Sequence, residues 1–473
     1  MHVLNRLLQG DVLYRDVYFG ATPLSVLVSF PFAAALGPQL VVIRFLAATL
    51  FFCTGCLGLA LLRGIGIAQP AAKWAFVLAM CGYGHPSAVL PLYNPLCYLL
   101  LLIVLAAALR VVRYPSARAS LIAGVGAGLC FAAKQNLGGY VLVALLATLA
   151  CLPERARNGS WALAGFAASA AASMLPFALR AGAAALWENM AGNKAGYLQL
   201  VRVNYWEGLR GWFEFAAVAG SRSLAEASNL YWRALFLLPA LSAILLLYSW
   251  LARKHERREL IAISAFFVAA CLGLFPLGDE AHTLLVTPIA LIVTLKYCPR
   301  PSRQYLRSWG TVALLLWLGL GPLYWLAASW QRYANGRATF CQIAGLRGAL
   351  IDSGQIGEIE RTTEMLVRAA PADGKVLIIS PYAGLYYATT GLRNPTPYDY
   401  PLANVFTARA KARLQQTISL GGIRTVAVDR RAFQQPFFID LHPAWLEDAA
   451  LARLECRAGF GGWLLCGSPE RGT

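Results

Sequence analysis

A chain of 473 residues is long enough for three soluble domains, but 58% of its residues are apolar and only 14% are charged, against roughly a quarter charged in an ordinary globular protein. That balance excludes a soluble globular array. The net charge of +18 would suit nucleic acid if it formed a patch, but Lys and Arg crowd into short islands flanking apolar runs, as topology signals facing an anionic leaflet do.

The first twenty residues are polar and include Asp11, Arg15 and Asp16, so they do not form a cleavable signal peptide. Apolar stretches follow at 40–62, 74–90, 95–109, 119–133, 137–152, 160–179, 231–252, 260–275, 283–295 and 309–330. A spanning helix needs about 17–25 apolar residues, so the shorter stretches must tilt, break or begin inside neighbouring loops. When the loops between them are taken alternately, one set carries fifteen Lys and Arg, while the short loops of the other set carry only Lys134. The positive-inside rule makes the first set cytoplasmic. Loops 1–39 and 180–230 and everything after 330 then lie outside. Residues 1–22 would start outside with no span before them, which implies a further helix upstream of Met1.

The expected fold is therefore a polytopic α-helical membrane bundle of about ten spans over 1–330, followed by a small extracytoplasmic α/β domain over 331–473. In that domain 358–370 and 405–420 read as helices, and Val376–Ile379 and Thr425–Val428 read as buried strands. The ending Leu454–Cys466 reads as a hairpin about Gly461-Gly462, which sets Cys456 opposite Cys466 as either a disulfide or a packed thiol pair. The other cysteines sit mostly in apolar runs as small hydrophobes, and no Cys/His cluster reads as a zinc site. Gly124-x-x-x-Gly128 reads as a close helix contact rather than a phosphate loop. The aromatics Trp187, Tyr197, Tyr205, Trp206 and Trp212 read as an interfacial belt, or less readily as a sugar-stacking platform. The Asn158-Gly159-Ser160 sequon falls on the cytoplasmic side and is discounted.

Polar residues at membrane depth collect on the outer side. His85 and Asn94 lie at one outer turn, Lys134-Gln135-Asn136 at the next, and Asp279-Glu280 with His282 at a third, while Asp11, Arg15 and Asp16 occupy the first loop. Each taken alone is as readily an exposed loop residue as a functional one. Together they make a face able to hold a lipid phosphate through Lys134, His85, His282 and Arg15, and to take a proton from a hydroxyl through an Asp.

The run Leu7-Leu8-Gln9-Gly10-Asp11-Val12-Leu13-Tyr14-Arg15-Asp16, with Pro23-Leu24, Gly37 and Arg44, resembles the first outer loop of GT-C class membrane glycosyltransferases. These include the dolichyl-phosphate-mannose protein mannosyltransferases and the aminoarabinose transferases. Phe275–His282 is similar to a late outer turn of such proteins, and Leu385-Tyr386-Tyr387 with Arg393-Asn394-Pro395-Thr396 to their C-terminal domain. The resemblance implies transfer of a sugar from a polyprenyl-phosphate donor to a glycan, lipid or protein acceptor at the outer face of a bacterial inner membrane, without nucleic acid. It makes Asp16 and Asp11 the catalytic acids, leaves Asn94, Gln135, Asp279 and Glu280 to bind substrate, and leaves a divalent metal open. The chain departs from the family pattern where the first acidic pair would precede the Gly10 position. The alternatives are a transporter or flippase of lipid-linked saccharide, which would favour paired broken helices in two halves, and a non-catalytic membrane protein.

Overall fold

The computed structural model describes residues 1–87, 91–192, 205–206, 210, 235–252, 256–275, 280–298, 319, 323–324, 326–435 and 438–468. Most of the expected span 309–330, the start of 231–252, most of loop 180–230 and residue Asp279 lie outside the described residues.

The apolar stretches form helices: α1 (His2–Leu8), α2 (Leu24–Leu36), α3 (Leu40–Gly64), α4 (Pro70–Ser87), α5 (Tyr93–Arg113), α6 (Ala117–Ala133), α7 (Gln135–Ala150), α8 (Arg155–Ala181), α9 (Ala183–Ala191), α10 (Leu238–Ala252), α11 (Arg257–Leu272) and α12 (Thr287–Tyr297). Among the described residues, α3, α5 and α8 are long and apolar enough to cross a membrane. α6 and α7 are shorter apolar helices of 17 and 16 residues, separated by a break at Lys134. The segment 1–39, read from the sequence as a loop, holds the apolar helix α2 with Pro31 inside it.

One continuous apolar core joins α3 to α7 with α10 to α12, and Leu101, Leu105, Leu137, Leu145 and Phe266 are fully enclosed in it. α6 begins where the Ser116 hydroxyl accepts from the Ala119 amide at 3.2 Å, a side-chain cap on an otherwise open first turn. Gly124, Gly128 and Gly165 then let α6 and α8 meet backbone to backbone. A Cβ on Gly124 would collide with the Ala162 carbonyl, and one on Gly165 with the Leu121 carbonyl. The small-residue spacing therefore works as a helix contact. Cys53-Thr54-Gly55-Cys56 is a Cys-x-x-Cys spacing with both thiols on the exposed side of α3. No group of three or more His, Cys, Asp or Glu gathers at a metal-binding distance among the described residues.

The C-terminal region begins with a two-stranded ribbon, β1 (Ala338–Phe340) antiparallel to β2 (Leu350–Asp352). A four-stranded sheet follows in the order β3 (Leu377–Ile379), β4 (Thr425–Asp429), β6 (Trp463–Gly467), β5 (Glu455–Ala458). β3 and β4 are parallel, and β6 runs antiparallel to both β4 and β5. Both faces are covered, which is why β3 and β4 are unbroken apolar runs rather than alternating ones. Leu377, Ile379, Val426 and Val428 face a helix at Ala408–Ser419, which presents Ala410, Leu414 and Ile418 at four-residue spacing. Ile378, Ala427 and Trp463 face the other way, onto Leu366 of the helix Ser353–Ala369 and Tyr386 and Tyr387 of the helix Ala383–Thr390.

In the β5–β6 hairpin Cys456 stands opposite Cys466, and the pair is a disulfide with Cα atoms 4.0 Å apart. Alkylation of the denatured chain is expected to label nine cysteines without reductant and eleven after reduction. Gly124→Val and Gly128→Val should each cost about 1–3 kcal/mol by overpacking, read as loss of unfolding free energy in detergent. Gly139, whose Cβ would meet nothing within 4 Å, serves as the control: Gly139→Ala should be neutral or stabilise by up to about 1 kcal/mol.

Candidate functional site

The acids of the first loop are organised by a residue that the sequence reading passed over. Arg6, on α1, has a side chain 9% exposed and engaged on every side. Its Nε donates to Asp11 at 2.6 Å, Nη1 to Asp399 at 2.7 Å and to the Thr396 carbonyl at 3.0 Å, and Nη2 to the Asp16 carbonyl at 2.7 Å. The receptor for Arg6 is built by Asn394-Pro395-Thr396. The Asn394 Oδ1 accepts from the Thr396 amide and hydroxyl, folding an Asx turn, while its Nδ2 donates to Asp399 at 2.9 Å. His2 stacks on Tyr387 with ring centroids 4.7 Å apart and sets its Nε2 3.3 Å from Asp399. Burial alone would push the Asp399 carboxyl up, but the hydrogen bonds and charges of His2 and Arg6 outweigh it and hold the group below the ordinary value.

Beyond this anchor the chain makes a tight turn. Tyr14, at φ 70°, bonds its amide to the Val17 carbonyl at 2.9 Å and its hydroxyl to the Ala21 carbonyl at 2.7 Å. Asp16 sits in that turn. Its carboxylate takes both Arg15 donors, at 3.0 and 2.8 Å, and the Val12 amide at 2.9 Å. The Arg15 hydrogen bonds are the main reason that its proton affinity lies below that of an ordinary carboxyl, with a partly opposing effect of burial. Asp16 is thus an ionised carboxylate at neutral pH, with 32% of its side chain open to solvent.

The second group centres on Lys134, whose extended backbone (φ −152°, ψ 108°) ends α6 and starts α7. Its Nζ donates to Asn94 Oδ1 at 3.0 Å and to the Gly273 carbonyl at 3.3 Å. Asn94 is fully enclosed in the first turn of α5, and its Nδ2 has no partner among the described residues. Gln135 donates to the Met190 carbonyl and Asn136 to the Phe275 carbonyl, both at 3.3 Å.

The two groups are stitched together by α9. Asn189 donates to the Tyr14 carbonyl at 3.0 Å and accepts from the Phe19 amide at 3.0 Å, one residue before the Met190 carbonyl that Gln135 reaches. Thr22 adds a bond to the Phe131 carbonyl at 2.9 Å. The first loop, the Lys134 turn, the start of α5 and the segment after α11 therefore meet at one end of the helices, as the alternation of loops predicted. His85 stands near the C-terminal end of α4, and the turn Glu280–Thr283, which carries Glu280 and His282, lies against that helix. Asp279 lies outside the described residues.

Asp11 gives one oxygen to Arg6, Asp16 is held by Arg15 and the Val12 amide, and each keeps about a third of its side chain open, 36% and 32%. The signal for Arg6 and Asp399 was an Arg and an Asp 393 positions apart, a pairing that no local pattern reveals. No protein-family model matches the chain, and no curated protein matches it in sequence.

Removing one partner of a buried ion pair costs about 3–5 kcal/mol, so Asp399→Ala should free α1 and raise proteolysis of the first loop far more than Asp352→Ala, whose carboxylate is exposed. The carboxyl of Asp399 has a lowered value in the folded chain, so its contribution is complete above the unfolded value near 3.8 and is lost as pH falls through the lower folded value. Docking of α1, followed by protease protection, should hold at neutral pH and fail only below about pH 4.

Proposed function

We propose that the chain is a glycosyltransferase that spans a bacterial inner membrane with about ten helices and moves a sugar from a polyprenyl-phosphate donor to a glycan, lipid or protein hydroxyl at the outer face. The observation that carries this reading is the Lys134 ammonium on enclosed Asn94, whose Nδ2 has no partner among the described residues, held against the loop that presents ionised Asp16. An unpartnered buried N–H donor costs about 1–3 kcal/mol, and a phosphate oxygen seated between Lys134 and Asn94 would recover it. The outer orientation is supported by the fifteen-to-one distribution of basic residues and by the disulfide, which belongs to an oxidising compartment.

In the proposed reaction the acceptor hydroxyl attacks the anomeric carbon while Asp16 takes its proton. The bond from that carbon to the phosphate oxygen breaks, and the polyprenyl phosphate leaves with its charge held by Lys134 and the Asn94 amide. Asp16 then returns the proton to water. Arg15, His85 and His282 are kept as further phosphate-facing groups, and Gln135, Asp279 and Glu280 as substrate-facing ones. A divalent metal remains compatible with the acids of the first loop.

Asp16→Asn should lower transfer from a radiolabelled polyprenyl-phosphate sugar in membrane vesicles by about 10²- to 10⁴-fold, with expression intact. Asn94→Ala and Lys134→Ala should weaken use of the donor, whereas Asp11→Asn should chiefly loosen the Arg6 anchor. Donor translocation across the vesicle that persists in Asp16→Asn would replace transfer with transport; neither activity in the unaltered chain would leave a non-catalytic protein. Reporter fusions after Arg113, Arg157 and Arg258 should score cytoplasmic, and fusions after Asn94, Gly278 and Gly336 extracytoplasmic; a wholesale reversal overturns the outer-face assignment.

A further inference from the structure

At the opposite end of the helices from Lys134, α3 and α5 run side by side and part. The cleft between them, about 460 Å³, is lined by Leu57, Leu61, Ala106 and Leu109, with Arg110 and Arg113 at its mouth. Small residues make the room: Ala60, Gly64 and Ala106 stand where larger side chains would close it, and a Cβ on Gly64 would meet nothing within 4 Å. From Leu57 to Ile65 the cleft follows α3 for about 12 Å at 1.5 Å per residue, the length of a stretch of acyl chain rather than of a headgroup alone.

The charges at the mouth favour an anion. Arg110 is exposed and has no ion-pair partner among the described residues. Arg113 reaches Glu259 at 3.4 Å, and Lys296 holds the other oxygen of that carboxylate at 2.8 Å. Two cations therefore share one acid, and Arg110 adds a third positive charge beside them. The carbonyl ends of α3 and α5 point the same way and would repel an anion, but Lys296 also donates to the Ile65 carbonyl at 2.7 Å and covers part of that field. Tyr114, 72% exposed, stands beside the two arginines as an interfacial aromatic does.

We propose that this cleft binds an anionic phospholipid of the cytoplasmic leaflet, with its phosphate between Arg110 and Arg113 and one acyl chain along α3 and α5. The site is separate from the outer face. It rests on the proposed membrane placement and orientation of the helices but not on sugar transfer.

The test is native mass spectrometry of the full chain in detergent, given equal phosphatidylglycerol and phosphatidylcholine with identical acyl chains. The unaltered chain should retain phosphatidylglycerol about tenfold over phosphatidylcholine, and Arg110→Gln with Arg113→Gln should abolish the preference. Arg110→Lys with Arg113→Lys should restore most of it, which separates loss of charge from loss of fold. Ala106→Trp, which fills the cleft and keeps both arginines, should lower retention of both lipids. Equal retention of the two lipids by the unaltered chain overturns the proposal. So does a preference that survives the double Gln variant, or displacement of the lipid by glycerol phosphate at equal concentration. A chain that passes these tests yet transfers no sugar keeps this site and loses the transferase reading. A chain that alkali strips from membranes loses both.

Discussion

The Arg6 guanidinium is the point on which the arrangement of the first loop depends. A buried charge is costly unless it is paired and hydrogen-bonded. Arg6 meets that condition only if three distant segments come together, with Asp11, the Asp16 carbonyl, and the Thr396 carbonyl and Asp399 each taking a donor from the same planar group. The fork is rigid, so the partners are placed as well as charged. A lysine would keep the charge and lose the placement. The C-terminal region, the first loop and α1 are thereby held in one register, and the loop can present Asp16 in a fixed turn rather than on a free strand.

The end of the helices around Lys134 is fixed by packing. α6 and α8 approach so closely through Gly124, Gly128 and Gly165 that the backbone break at Lys134 has a rigid frame behind it. Lys134 then reaches across to α5 and to the segment after α11, so one ammonium reports the relative position of three helices. Asn94 is enclosed, its Oδ1 takes the Lys134 ammonium, and its Nδ2 has no partner among the described residues. Stability kept in reserve at such a group is the usual mark of a position shaped for a ligand, and it is why the proposed donor site is built on this pair rather than on the better-satisfied acids.

The two ends of the helices then differ in kind. The Lys134 end is joined by directed hydrogen bonds among loops, amides and acids. At the opposite end α3 and α5 leave an apolar cleft with basic residues at its mouth. A phosphate at the Lys134 end would be met by groups already oriented. One at the opposite end would be held by flexible arginines and by the fit of its chains, which suits a resident lipid better than a reacting substrate.

The helical character of the apolar stretches among the described residues and the strand–helix–strand pattern of the C-terminal region were legible in the sequence because each depends on local composition and short periods, whereas α2 and α9, inside the loops 1–39 and 180–230, were not. The facing of Cys456 and Cys466 was legible too, since their hairpin turn lies between them. The meeting of these turns at one end of the helices also followed from counting spans, since alternation puts every second loop at one end. What the tertiary structure decided was the role of each polar residue within that end. Asp11 and Asp16 look alike in the sequence, yet Asp11 is tied to Arg6 and through it to Asp399, whereas Asp16 is held by its neighbour Arg15 within the turn. Asn394-Pro395-Thr396 looks like a surface turn, yet it shapes the seat of a charge nearly four hundred residues away. These distinctions rest on contacts between segments remote along the chain, and a one-dimensional pattern carries no term for the distance between them.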